Sequence, residues 1–141
     1  MYKKNELRIL LIDDDLLEQA RFSQTISLLQ VDYTLIQAED GQVALDILKE
    51  TKSLPDVILL DLNMPRLNGI EFLKIIKSIP RLKSIPIVAF STSTNLSDIN
   101  TCYHLGIASF IHKSLKPKTY TNTIRILINY WSINIIALNK S

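Results

Sequence analysis

Asp56-Val57-Ile58-Leu59-Leu60-Asp61-Leu62-Asn63-Met64-Pro65 sets four apolar residues in a row between two aspartates. The run is short and does not alternate, which is the pattern of a parallel strand buried on both faces. At Asp61 the chain turns polar, and Pro65 then forbids the strand from continuing. The stretch therefore predicts a central strand that delivers a carboxylate to its carboxyl end.

Further runs of the same kind lie on both sides of it. Leu7–Ile12 precedes Asp13-Asp14-Asp15, Tyr33–Ala38 reads as a shorter strand, Ile85–Phe90 precedes Ser91, and Ser109–His112 precedes Lys113. Helix-period segments fall between them: Leu16–Leu29, Gly41–Thr51, Leu67–Ser78, Leu96–Leu105 and a long last helix opening at Pro117. Asp15 suits the N-cap of the first helix. Strand and helix alternate five times, which predicts an α/β doubly wound sheet of five parallel strands with helices on both faces.

Composition agrees with one domain. A chain of 141 residues can bury a single core, and 47% hydrophobic with 21% charged residues excludes a disordered chain. A net charge of +2, with Lys and Arg scattered, gives no basis for a nucleic-acid groove. Ile124–Leu138 is interrupted by Arg125, Asn129, Ser132 and Asn134, and the N-terminus is no signal peptide, so no membrane association is expected. The lone Cys102 fits a reducing, cytoplasmic compartment and reads as a small buried helix residue. His104 and His112 lack metal-ligand spacing and read as structural or exposed.

In open parallel sheets the ligand sits beyond the carboxyl ends of the strands. Those ends carry Asp13 and Asp14, then Asp61, then Ser91 and Thr92, then Lys113. Three carboxylates meeting in one crevice repel, so they require a cation or raised pKa values. An all-oxygen set with few protein ligands suits magnesium, which keeps waters and takes phosphate oxygens as further ligands. A hydroxyl and an ammonium opposite complete a site suited to phosphoryl transfer.

Asp13-Asp14, Asp61-Leu62-Asn63-Met64-Pro65 with Asn68-Gly69, Ser91 and Lys113 together resemble the response-regulator receiver family of two-component signalling. The resemblance runs from residue 7 to about residue 130 and covers nearly the whole chain. It implies a flavodoxin-like strand order of 2-1-3-4-5. It also implies roles. Asp61 is the phosphoacceptor, and Mg2+ is held by the Asp14 and Asp61 side chains and the Asn63 backbone carbonyl, with Asp13 acting through water. Lys113 pairs with the phosphate, while Ser91 and Phe110 act as the switch pair. Asn63 and Ser93 are positions that tune phosphoryl lifetime. The implied partners are a sensor histidine kinase or histidine phosphotransfer protein and a downstream protein. The module itself is not an enzyme, having only self-phosphorylation and self-dephosphorylation chemistry.

Two features depart from the family pattern. Receivers usually follow the strand-five lysine with proline, often through a cis bond; here Ser114 stands there, which makes a cis bond costly and leaves cis or trans open in the sequence. Residues 132–141 form an apolar extension of the last helix in place of an output domain. Tyr130-Trp131 before it resembles single-domain regulators that partner cyanobacterial phytochromes. Trp131 and the apolar tail read as either a core lid or a dimer surface; the interface reading is preferred and would give a homodimer through the last helix and tail.

Two other functions compete. A haloacid-dehalogenase-type phosphohydrolase also uses an aspartate nucleophile but needs an acid two residues on, where this chain has Asn63. A degenerate receiver serving only as a binding module is the alternative that Ser114 favours. A nucleotide-binding fold is disfavoured, because no glycine-rich loop follows the first strand.

Overall fold

The computed structural model describes residues 6–135. Its strands are β1 (Leu7–Ile12), β2 (Tyr33–Ala38), β3 (Val57–Leu60), β4 (Ile87–Ser91) and β5 (Ser109–His112). They form one parallel sheet in the order β2-β1-β3-β4-β5, with Ile9 beside Val57 and Ala89 beside Phe110. The helices are α1 (Leu16–Ser27), α2 (Gly41–Glu50), α3 (Gly69–Ser78), α4 (Leu96–His104) and α5 (Pro117–Ser132).

The two-residue period of a strand divides the core in two. Leu10, Ile12, Ile58, Leu60 and Ala89 face Ala44, Leu45 and Leu48 of α2, Phe72, Leu73 and Ile76 of α3, and Cys102 of α4. Leu7, Ile9, Leu11, Val57, Leu59, Val88 and Phe90 face Phe22 and Ile26 of α1 and Tyr120, Ile124, Leu127, Ile128 and Trp131 of α5. The central strands are thus buried on both sides, as their unbroken apolar runs require. Cys102 is fully buried, and burial pushes its thiol up to about 11, which makes it a small core residue.

Several boundaries move by one or two residues, each for a local reason. β4 begins at Ile87, because Ile85 donates its N–H to Leu82 in a turn and Pro86 has none to give. The helix expected from Leu67 begins at Gly69, because Asn68 and Glu71 form a reciprocal capping box. Before it, Arg66 takes a left-handed φ of 63° and ion-pairs with Asp40, the N-cap of α2. Gly106 follows α4 at φ 91°, where a side chain would be strained.

The last helix needs correction. Among the described residues it ends at Ser132, where the Ser132 hydroxyl and the Ile133 and Asn134 N–H groups take up carbonyls of its last turn. Ile133 and Ile135 beyond it are exposed. Residues 136–141, the rest of the expected extension, lie outside the described residues. Trp131, expected at an interface, packs into the core against the sheet at 7% exposure.

Candidate functional site

Parallel pairing sets the ends of β1, β3, β4 and β5 side by side. Asp61 donates its N–H to Ile12 at 3.0 Å, Asp13 donates to Ala38 at 3.1 Å, and Lys113 donates to Ser91 at 2.8 Å. These backbone bonds place the residues that follow the strands in one crevice. Carboxylate oxygens of Asp13, Asp14 and Asp61 all lie within 4.8 Å of one another. Asp13 is buried, Asp61 half-buried and Asp14 exposed, so the cluster opens to solvent on the Asp14 side.

Asp13 and Asp61 are locally held. Asp13 Oδ1 accepts the Asp15 N–H at 2.9 Å, and the Gln19 amide donates to the carbonyls of Asp13 and Ala38 at 2.7 and 3.0 Å. Asp15 caps α1 through its side chain, as its place in the sequence indicates. Asp61 Oδ1 accepts the Leu62 N–H at 2.9 Å. Gly69 permits this geometry, because a Cβ there would sit 2.6 Å from the Asp61 carbonyl oxygen.

Lys113 is the cation inside the cluster. Its ammonium meets Asp13 Oδ2 at 2.7 Å and stands 3.9 Å from Glu18 Oε1, with only 7% of the side chain exposed. Burial pushes the Asp61 carboxyl up to about 6; Lys113 opposes the rise, and the charges of Asp13 and Asp14 add to it. A half-buried carboxylate so disfavoured, with two more acids beside it, is a donor set that a hard divalent cation would relieve. The residues present therefore fit Mg2+.

The remaining expected residues surround this centre. Ser91 is fully buried, and its Oγ accepts the Ser93 N–H at 3.1 Å, which leaves the hydroxyl proton available to donate. Asn63 is exposed and lines a cavity of about 370 Å³ with Met64, Asn68 and Asp98. Phe110 is half-buried against the α2–α3 core, and its N–H donates to the Tyr103 hydroxyl at 3.1 Å. The Lys113–Ser114 peptide is trans, as no described peptide bond is cis, and Ser114 Oγ accepts the Lys116 N–H at 3.1 Å. Lysine reaches its place without the family's proline. His104 and His112 are exposed and stand apart from the centre.

A family model described as the response regulator receiver domain matches residues 9–125. The chain belongs to that family. Response regulator Rcp1 of Synechocystis sp. is 32% identical over 128 residues, 87% of each protein. The receiver also resembles the phosphorylated cyanobacterial phytochrome response regulator RcpA, with a TM-score of 0.89 and 31% identity over 95% of this chain and 100% of that one. A Mn2+-bound form of Rcp1 superposes with a TM-score of 0.85 at 29% identity, over 94% of this chain and 99% of that one. The fold and strand order of this receiver are those of the family, and no described helix is long and apolar enough to cross a membrane.

Sequence reasoning did not single out Gln19, Glu18 or Tyr120. Gln19 and Glu18 lie in the first turn of α1 and Tyr120 on α5, where helical periodicity gives no sign that Gln19 reaches Asp13, Glu18 reaches Lys113 and Tyr120 reaches Glu18.

Proposed function

We propose that this receiver accepts a phosphoryl group on Asp61 from a phosphohistidine of a sensor histidine kinase or phosphotransfer protein, and signals by protein contact. The observation that carries the proposal is the convergence of Asp13, Asp14 and Asp61 within 4.8 Å, with Lys113 beside them. One Asp61 carboxylate oxygen attacks phosphorus, the phosphorus–nitrogen bond breaks with its electron pair going to nitrogen, and the donor ring, already protonated on its other nitrogen, leaves as neutral imidazole. Asp14, Asp61 and the Asn63 carbonyl would hold Mg2+, and Asp13 would support it through water. When bound, the ion supplies charge neutralisation for the equatorial phosphoryl oxygens. Lys113 offers its ammonium to the same oxygens, and Ser91 donates its hydroxyl proton. The chemistry on this chain is thus positioning and charge compensation, and the module is a signalling element without a separate substrate.

Signal output follows from the Ser91 bond. Drawing Ser91 toward a phosphoryl group disturbs its acceptor bond to Ser93 and the loop that leads into α4. Phe110, packed beside that region, repacks in response.

Acetyl phosphate with Mg2+ tests the acceptor role by intact mass. Wild type is expected to gain one base-labile phosphoryl adduct, and Asp61→Asn none. A wild type that stays at its starting mass would leave a binding module as the remaining function.

Self-association through α5 is the second part of the proposal. Ile126, Tyr130 and Ile133 are each more than half exposed, around an apolar groove that Ile111, Leu127 and Trp131 line. Ile126→Lys is expected to shift a dimer toward monomer in light scattering, and identical masses for the two proteins would refute it.

A further inference from the structure

Lys113 faces a second carboxylate besides Asp13, and that carboxylate belongs to a chain of contacts leading away from the crevice. Glu18 Oε1 stands 3.9 Å from the Lys113 ammonium and accepts the Tyr120 hydroxyl at 2.8 Å. Glu18 Oε2 stands 3.9 Å from Arg21, whose guanidinium lies 3.6 Å over the Tyr120 ring. Tyr120 in turn packs on Phe90, the residue before Ser91, with ring centroids 6.0 Å apart. The middle of this chain is shielded, with the Glu18 side chain 11% exposed and Tyr120 only 1%, while Arg21 at its outer end is 31% exposed.

A buried tyrosine hydroxyl needs some acceptor, and a glutamate one turn into α1 could serve that need alone. What exceeds that need is the sharing. A single oxygen of Glu18 faces both the Tyr120 proton and the Lys113 ammonium, so the two compete for its charge.

We propose that Glu18 is a positioning residue for Lys113, and that Tyr120 sets how strongly Glu18 holds it. The inference rests on the phosphoacceptor role of Asp61. Lys113 is drawn between Asp13 and Glu18 in the free protein, and an anion on Asp61 must draw it from them. Glu18 therefore opposes the phosphorylated state. The Tyr120 hydroxyl satisfies Glu18 and weakens that opposition. When Lys113 turns to the phosphoryl group, Glu18 is left to Arg21 and Tyr120, which carries the change from the crevice to the α1–α5 face.

The signs of the two substitutions follow. Glu18→Gln removes the competing charge yet keeps an acceptor for Tyr120, so an anion on Asp61 should be held more tightly. Tyr120→Phe returns the full charge to Lys113, so the anion should be held less tightly. A partly shielded ion pair at this separation supports changes of about two- to fivefold in each direction. In the double variant the effect of the phenylalanine should vanish.

Calorimetric titration with beryllium fluoride in excess Mg2+, an acyl-phosphate mimic, reads these changes directly, with thermal melts confirming that each variant is folded. Opposite signs for the single variants, and no effect of Tyr120→Phe when Glu18→Gln is already present, establish the coupling. Weaker binding by both variants in additive steps overturns it, since that is what simple damage to packing would give. Unchanged affinity in both overturns it as well. Asp61→Asn separates the two levels: if wild type binds the mimic no better than this variant, the acceptor role itself fails and the coupling with it.

Discussion

Burial pushes the Asp61 carboxyl up to about 6, and this has two consequences at the scale of the residue. The first concerns reactivity, because only the carboxylate can attack phosphorus or meet a cation. A cation must displace that proton, so Mg2+ affinity is expected to weaken as pH falls through about 6. A Mg2+ affinity that is flat between pH 5 and 7 would count against a raised acceptor. The second concerns stability. An unfolded aspartate titrates at about 3.9, so between that value and about 6 the folded chain binds the extra proton, and stability falls as pH rises through that window. Without metal, Asp61→Asn should thus stabilise the fold at pH 7.5 and do little at pH 4. The gain is on the order of 1 kcal/mol once solvent screening of a half-buried group is allowed for. Melting curves at the two pH values check the sign.

At the scale of the element, the turn from β3 into α3 carries the tightest demand. The α3 N-terminus comes so close that a Cβ on Gly69 would lie 2.6 Å from the Asp61 carbonyl oxygen and 2.7 Å from Leu62 Cα. Both are backbone atoms, which no side-chain rotation can move aside. Gly69→Ala should cost about 1–3 kcal/mol, as overpacking does, and should also displace Asp61. Loss of both melting temperature and acetyl phosphate labelling is the expected result, while unchanged labelling would mean that the loop can shift as a unit. The capping box of Asn68 and Glu71 fixes where α3 starts, and so fixes the height at which Gly69 meets Asp61.

For the whole molecule, the two-faced sheet decides what α5 can do. Tyr120, Ile124, Leu127, Ile128 and Trp131 repeat at helical spacing and all enter the core, while Ile126 and Tyr130 remain outside. The helix thus has one face committed to the fold and another exposed to solvent. Trp131→Ala should destabilise the monomer by about 3–5 kcal/mol, as removal of a large buried aromatic does. At concentrations low enough to keep both proteins monomeric, Ile126→Lys should leave the melting temperature within about a degree of wild type, because exposed positions contribute little. Chemical denaturation of both variants tests whether the two faces are energetically separate; equal losses would refute the division.

The sequence by itself determined the five strands, their alternation with five helices, and the acids, hydroxyl and lysine of the site. Unbroken apolar runs mark strands buried on both faces, and polar residues placed directly after them fall at the sheet's carboxyl edge whatever the loops do. Asp13, Asp14, Asp61, Ser91 and Lys113 were legible for that reason. Phe110 and the Asn63 carbonyl were named from the family resemblance. Tertiary structure alone decided the rest. That Trp131 is core and not interface depends on how far α5 runs along the sheet, which its own periodicity cannot state. That Glu18 and Tyr120, 102 residues apart, share one hydrogen bond beside Lys113 depends on α1 and α5 packing on the same face. Local pattern encodes which side of an element is buried; only the packing of distant elements decides what that side touches.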